Sequence, residues 1–214
     1  MRTTWGIATD RGRVREINED AVLAEPPVFL VADGMGGYDA GDIASKIVVD
    51  SFRALGGRAA VSPPEIHERF QVATQELRSA LTSESPAGST VAGAAVVNQD
   101  GIDYWLIFNM GDSRVYSWQD GALHQISVDH SVVQELIEAG VIDDDQAAHH
   151  PQRHQVTRAL ATHVTPDPDY WLIPSDSAQR ILICSDGLTT EVADADIAAL
   201  LETFPDAQDA ADNL

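Results

Sequence analysis

The stretch FLVADGMGG, residues 29–37, is apolar on consecutive positions and then ends on Asp33, followed by glycines. An unbroken apolar run of this kind reads as a strand covered on both faces. A carboxylate at the end of such a strand loses its hydration and is penalised unless something compensates. The pattern returns at WLIFNMGDS (105–113), which carries Asp112, and at ILICSDG (181–187), which carries Asp186. Brought together, such groups repel one another by several kcal/mol at a protein-like dielectric. A divalent cation removes both penalties at once. Hard cations such as Mg²⁺ and Mn²⁺ take oxygen ligands, and adjoining glycines let backbone carbonyls approach as well. Asp33, Asp112 and Asp186 are therefore candidate metal ligands, each presented where rigid sheet meets loop. Asp-Gly is also an ordinary turn pair, and spacing alone leaves both readings open.

Outward from 29–37, short β-like runs precede it at 5–9 and 21–24, and its own strand core is 28–32. A helix follows, with Ile43, Ile47, Val48, Ser51 and Leu55 on one side and Gly56-Gly57 as its stop. Ser62-Pro63-Pro64-Glu65 announces a second helix: Ser62 caps, Pro63 suits the first turn and Glu65 completes a capping box. Its stripe is Ile66, Phe70, Ala73, Leu77 and Leu81. Strand pairs at 90–97 and 102–108, and at 114–118 and 122–126, flank Asn98-Gln99-Asp100-Gly101 and Gln119-Asp120-Gly121, both hairpin signals. A short helix over 132–139 ends at Gly140. Residues 143–163, with three acids and four histidines, read as an exposed insertion. Strands at 170–173 and 180–184 and a helix over 194–204 complete the pattern. Hairpins with two adjacent long helices predict an α+β fold with antiparallel sheets and helices packed outside, rather than βαβ units. No linker interrupts residues 1–214, so one domain is expected.

The composition narrows the function. Thirty-four acids against thirteen bases give a formal charge of −21, and Lys46 is the only lysine. Such a surface repels phosphate backbones and anionic lipid, which argues against nucleic-acid or membrane partners. Cys184 is the only cysteine and lies in an apolar run, as suits a reducing compartment. The N-terminus has no apolar signal core and no run reaches the roughly 20 residues of a membrane helix. A cytoplasmic protein is the expectation.

A fourth segment, TDRGRVREINEDA (9–21), carries Arg15 and the acidic pair Glu19 and Asp20. With VADGMGG, GST (88–90), GDSRVY and CSDGLT, in that order, it resembles the metal-dependent Ser/Thr protein phosphatases, the protein phosphatase 2C-like family in its bacterial form. HPQRHQVTRAL (150–160) is similar to the family's segment there. The resemblance runs from about residue 9 to about residue 192, most of the chain.

That resemblance implies an αββα four-layer sandwich, two mainly antiparallel sheets flanked by helices, with a two-metal centre of Mn²⁺ or Mg²⁺ at the sheets' ends. It implies that Asp33 bridges two ions and that the carbonyl of Gly34 is a ligand. Asp186 binds one of the pair, and Asp112 helps to hold a third ion. Glu19 and Asp20 lie beside the metals, directly or through water. Arg15 grips the substrate phosphate. The implied reaction is hydrolysis of phosphoserine or phosphothreonine by a metal-activated water, without a phosphoenzyme. Phosphoprotein substrates and a cognate Ser/Thr kinase follow as partners, with the enzyme a monomer. His150 and His154 fall in the segment that matches a flap beside the active site, and read as surface residues.

Two departures stand out. Where many eukaryotic relatives have a histidine two residues after the bridging aspartate, this chain has Met35, so no protein general acid is assigned. The family also closes on an Asp-Asn pair in a strand, whereas Asp212-Asn213 lies in a stretch that reads as the start of a helix, too near Asp186. The expectation is a C-terminally truncated catalytic domain with weakened metal binding. A haloacid-dehalogenase-type phosphatase is excluded because Val31 and Met35 stand where its second aspartate belongs. A cysteine phosphatase is excluded because Thr190 stands where its arginine belongs, six residues after Cys184. The remaining rival is a catalytically inactive binding domain on the same fold.

Overall fold

The computed structural model describes residues 1–36, 40–81, 87–162, 166–175 and 179–214; Gly37 and His163 lie outside the described residues. In chain order the elements begin with β1 (Asp20–Glu25), β2 (Val28–Gly36), α1 (Ala40–Arg53) and α2 (Pro63–Ala80). Then come β3 (Ala87–Ser89), β4 (Val91–Gln99), β5 (Ile102–Met110), β6 (Arg114–Gln119) and β7 (Ala122–Gln125). After these follow α3 (Val132–Glu138), α4 (Asp144–Ala148), β8 (Leu160–Ala161), β9 (Asp169–Pro174) and β10 (Arg180–Cys184). The chain closes with α5 (Asp186–Thr189), α6 (Asp194–Thr203) and α7 (Ala207–Asn213). Among the described residues no helix is long and apolar enough to cross a membrane.

Two antiparallel sheets form. The larger has seven strands in the order β8-β3-β2-β4-β5-β9, with β1 on the other edge of β2; the smaller is β10-β6-β7. Both predicted hairpins are present, closed by Asp100-Gly101 and Asp120-Gly121 with positive φ at all four residues. That two-residue geometry matches the twist of the flanking strands.

Burial explains the layering. On one face of the large sheet, Leu30, Phe108 and Met110 pack against Val48 and Phe52 of α1 and Ile66, Phe70 and Leu77 of α2. Phe52, Phe70 and Phe108 meet with ring centroids 5.2, 5.6 and 5.8 Å apart. On the opposite face, Phe29, Ala92, Trp105 and Ile107 pack against Val115, Ile181 and Ile183 of the small sheet. The small sheet's outer face, with Trp118, Leu123 and Leu182, is covered by Ile197, Leu201 and Ala210 of α6 and α7. Each fully buried large side chain contributes about 1.5–3 kcal/mol by leaving water. The result is the αββα sandwich, and it explains why residues 28–32 are apolar without alternation.

Three details differ from the sequence-based expectation. Residues 5–9 form no strand, because the Ile7 amide donates to Gln208 Oε1 at 3.1 Å and its carbonyl accepts from Gln208 Nε2 at 2.9 Å. A side-chain amide of α7 takes the place of a neighbouring strand. On α1 the inward stripe is Ala44, Val48, Ser51 and Phe52, while Ile43 is exposed. Finally, the strand expected at 90–97 is β4, which starts one residue later at Val91: Thr90 separates it from β3 and spends its bonds on the neighbouring site. At α2 the capping prediction holds, as the Ser62 amide and hydroxyl both donate to Glu65 Oε2 at 2.9 and 2.7 Å.

Candidate metal centre

Strand register brings the predicted acids together. Antiparallel pairing of β1 with β2 sets Asp20 directly opposite Asp33. In the small sheet Arg114 at the start of β6 pairs with Cys184 at the end of β10, so Asp112, just before β6, and Asp186, the first residue of α5, leave the sheet at the same end, near enough for their charges to act on each other. The large sheet therefore carries a cross-strand pair of carboxylates, and the small sheet presents two more carboxylates in the loops at its end. Like charges directly opposite are destabilising in a sheet, and Asp33 also senses the charges of Asp186 and Asp112. Burial first, then the charges of Asp20, Asp186 and Asp112, push the Asp33 carboxyl up to about 8. Burial and then the charge of Asp186 push Asp112 up to about 6. Asp20 is raised by burial and by Asp186, against a hydrogen bond from Ser185.

The supporting residues hold this arrangement firmly. Ser185 Oγ donates to Asp20 Oδ2 at 2.7 Å, joining the two sheets at the site. The Asp33 amide donates to Thr90 Oγ1 at 3.1 Å, and the Thr90 amide donates to the Asp33 carbonyl at 2.9 Å. Thr90 Oγ1 also meets Ser113 Oγ at 2.7 Å, beside Asp112. A valine at this position would keep the shape and strand the Asp33 amide. Thr90→Val is expected to cost about 1–3 kcal/mol of stability, read by denaturant unfolding.

Gly34 fits where no other residue does, since a Cβ there would lie 2.0 Å from the Gly41 carbonyl oxygen of α1. The Gly34 amide donates to the Glu19 carbonyl at 3.1 Å. Gly41 in turn leaves room for the Glu19 carboxylate, whose Oε1 would lie 2.4 Å from a Cβ at that position. Glu19 Oε2 accepts from Arg15 Nη1 at 2.9 Å, and the Arg15 side chain is 73% exposed. Arg15, Glu19, Asp20, Asp33 and Asp186 line one cleft of about 1200 Å³. Asp112 is not among its lining residues. His150 lies on an outer turn, where its Nδ1 accepts from the Gln152 amide at 3.2 Å, and His154 is exposed.

Among the described residues no group of three or more His, Cys, Asp or Glu side chains closes into an ion cage. The donor set still fits Mg²⁺ or Mn²⁺. Mg²⁺ keeps several waters and is commonly held by one or two carboxylates, and a cation would offset the repulsion that, with burial, holds the Asp33 and Asp112 carboxyls up to about 8 and about 6. Asp212 and Asn213 are turned to α7 itself, bonded to Gln208 and to the Asp209 carbonyl. Thr90, Ser185 and the segment 129–131 were not singled out from sequence as supports of the site, because their roles depend on which strands become neighbours.

Acidic side chains thus gather at one end of two facing sheets in an αββα sandwich. The family model "Protein phosphatase 2C" matches residues 11–212. The chain belongs to the protein phosphatase 2C family. A Ser/Thr phosphatase (stp) of Listeria innocua is 35% identical over 211 residues, covering 91% of this chain and 81% of that protein. The crystal structure of the phosphatase MsPP from Mycobacterium smegmatis, in complex with cacodylate, superposes with a TM-score of 0.85 at 38% identity, over 96% of this chain and 87% of that one. The catalytic domain of the Ser/Thr phosphatase PstP, crystallised with two manganese ions, gives 0.83 at 28% identity over 95% and 86%.

Proposed function

We propose that residues 1–214 act as one catalytic domain that hydrolyses phosphoserine and phosphothreonine in proteins with the help of divalent cations. The observation that carries this reading is the meeting of the cross-strand pair Asp20 and Asp33 with Asp186 and Asp112, whose charges act on Asp33, in a cleft that the exposed guanidinium of Arg15 also lines. The family's named relatives are Ser/Thr phosphatases, and the structural neighbour PstP carries two manganese ions.

Asp33, the Gly34 carbonyl and Asp186 would hold two Mn²⁺ or Mg²⁺ ions, with Glu19 and Asp20 beside them and Asp112 serving a third. When bound, such ions supply an acidified water and neutralise the charge of the phosphate. The chain's own residues do the rest. Ser185 fixes the orientation of Asp20. Arg15 exchanges its exposed contact with Glu19 for two parallel bonds to the phosphate oxygens. Met35 stands beside the site and has no proton to give to the leaving oxygen. The substrate is a phosphoprotein, with a Ser/Thr kinase as its counterpart, and the enzyme works as a cytoplasmic monomer; the buried, unpaired Cys184 suits that compartment.

The test is hydrolysis of p-nitrophenyl phosphate and of a phosphothreonine peptide with Mn²⁺ and with EDTA. Turnover with the ion and none with the chelator supports the proposal. Binding of the peptide without turnover at any Mn²⁺ concentration would favour an inactive binding domain instead. Arg15→Lys keeps the charge and loses the planar fork, so KM for p-nitrophenyl phosphate should rise by about tenfold, in line with the ~1.5–3 kcal/mol of a charged hydrogen bond.

A further inference from the structure

His130 is 3% exposed, and both of its ring nitrogens are engaged. Nδ1 lies 3.1 Å from the Gly111 amide, which must be the donor, so the ring proton sits on Nε2. Nε2 lies 3.0 Å from Asp169 Oδ2 on β9. The His130 amide also donates to the Gly111 carbonyl at 2.9 Å. One residue thus grips both polar groups of Gly111, the residue immediately before Asp112. Asn109 Nδ2 adds a bond to the same carbonyl at 3.1 Å.

The other side of His130 faces the 143–161 segment. The Thr157 amide donates to the His130 carbonyl at 2.8 Å, and Ser131 bridges to Val156. Arg158 reaches Asp169 at 3.2 and 3.4 Å. That segment ends in β8, which pairs with β3 and through it with the Gly34–Gly36 end of β2. So a single imidazole ties Gly111, 19 residues before it, to Asp169, 39 residues after it.

We infer that His130 is a positioning residue with two separable limbs: Nδ1 sets the Gly111–Asp112 turn, and Nε2, through Asp169 and Arg158, holds the 152–158 segment against it. The expected consequence for ions rests on the proposed role of Asp112. The side-chain amides divide the ring's two functions. Asn places its Oδ1 near the position of Nδ1, so His130→Asn keeps the grip on the Gly111 amide and loses Asp169. Gln places its Nε2 near the position of the ring Nε2, so His130→Gln keeps Asp169 and loses Gly111.

The experiment combines amide hydrogen exchange of the metal-free protein with Mn²⁺ titration calorimetry and phosphopeptide kinetics. His130→Gln should raise exchange at residues 111–113 by about tenfold or more and weaken the lowest-affinity Mn²⁺ step by about fivefold, the effect also expected of Asp112→Asn. His130→Asn should raise exchange at 155–158 and raise KM for a phosphopeptide severalfold, with kcat and the Mn²⁺ steps unchanged. If both variants loosen both segments equally, or lower the melting temperature with no segment-specific change, His130 is a packing residue and the inference is overturned. If the exchange pattern divides as expected but Asp112→Asn leaves every Mn²⁺ step intact, the positioning stands and the ion-binding role of Asp112 fails.

Discussion

Asp33→Asn should abolish Mn²⁺-dependent hydrolysis while making the metal-free protein more stable. The two effects have one cause. Asp33 stands opposite Asp20 and within reach of the charges of Asp186 and Asp112, and its carboxyl is pushed up to about 8 by burial and by those neighbours. An amide has the same shape without the charge, so the variant loses the group that would bridge two cations and relieves the repulsion in their absence. A loss of at least about 10³ in kcat/KM is expected, equivalent to roughly 4 kcal/mol of transition-state stabilisation. Melting of the EDTA-treated protein should shift upward at pH 8, and the shift should vanish near pH 4, where the carboxyl is protonated anyway. A drop in activity alone fits any damaged fold. The opposite movement of apo stability is the part that identifies a strained acidic centre. Activity that survives the substitution would remove Asp33 from the mechanism.

Much of this site was legible in the sequence because strand ends are marked by chemistry. Asp33, Asp112 and Asp186 each interrupt an apolar run, and no core packing explains a carboxylate there. Their pairing was not legible, since it depends on register. Nothing in the order of residues says that Asp20 faces Asp33, or that Asp112 comes near enough to Asp186 to feel its charge. Thr90, Ser185 and His130 stayed hidden for a related reason. Each is a small or neutral polar residue in an apolar setting, and its function is a contact across 57, 165 or 19 residues of chain. The predicted strand at 5–9 failed in the same way: its pattern was β-like, but a glutamine side chain from α7 took the ladder's place. Local pattern fixes what an element wants to be; the partner decides whether it becomes that.

Titration of the metal-free protein gives the second large effect. Asp33 and Asp112 are raised to about 8 and about 6 from an ordinary value of 3.8, and Asp20 is raised as well. For an acid whose folded pKa lies above its unfolded one, the folded state holds the proton more tightly. The stability so gained is complete below the unfolded value and is lost as pH rises through the folded one. The window set by these groups runs from about pH 4 to about pH 8. Raising a carboxyl pKa by one corresponds to about 1.4 kcal/mol, and allowing for coupling among the groups, about 2 kcal/mol should disappear between pH 5 and pH 8. For a chain of this size that lowers the melting temperature by roughly 4–8 °C. Divalent cations reverse the sign, because their ligands must be deprotonated and binding therefore expels protons. With the Asp33 carboxyl raised to about 8 by burial and its acidic neighbours, Mn²⁺ should release about one proton per chain at pH 7, and fewer as the pH is raised past 9. Calorimetric titration in buffers of different ionisation enthalpy counts those protons directly. The count should fall in Asp33→Asn, and the stabilisation by Mn²⁺ should be larger at pH 8 than at pH 5. A binding heat independent of buffer at pH 7 would mean that the carboxylates are already ionised, and that something other than the cation relieves their repulsion.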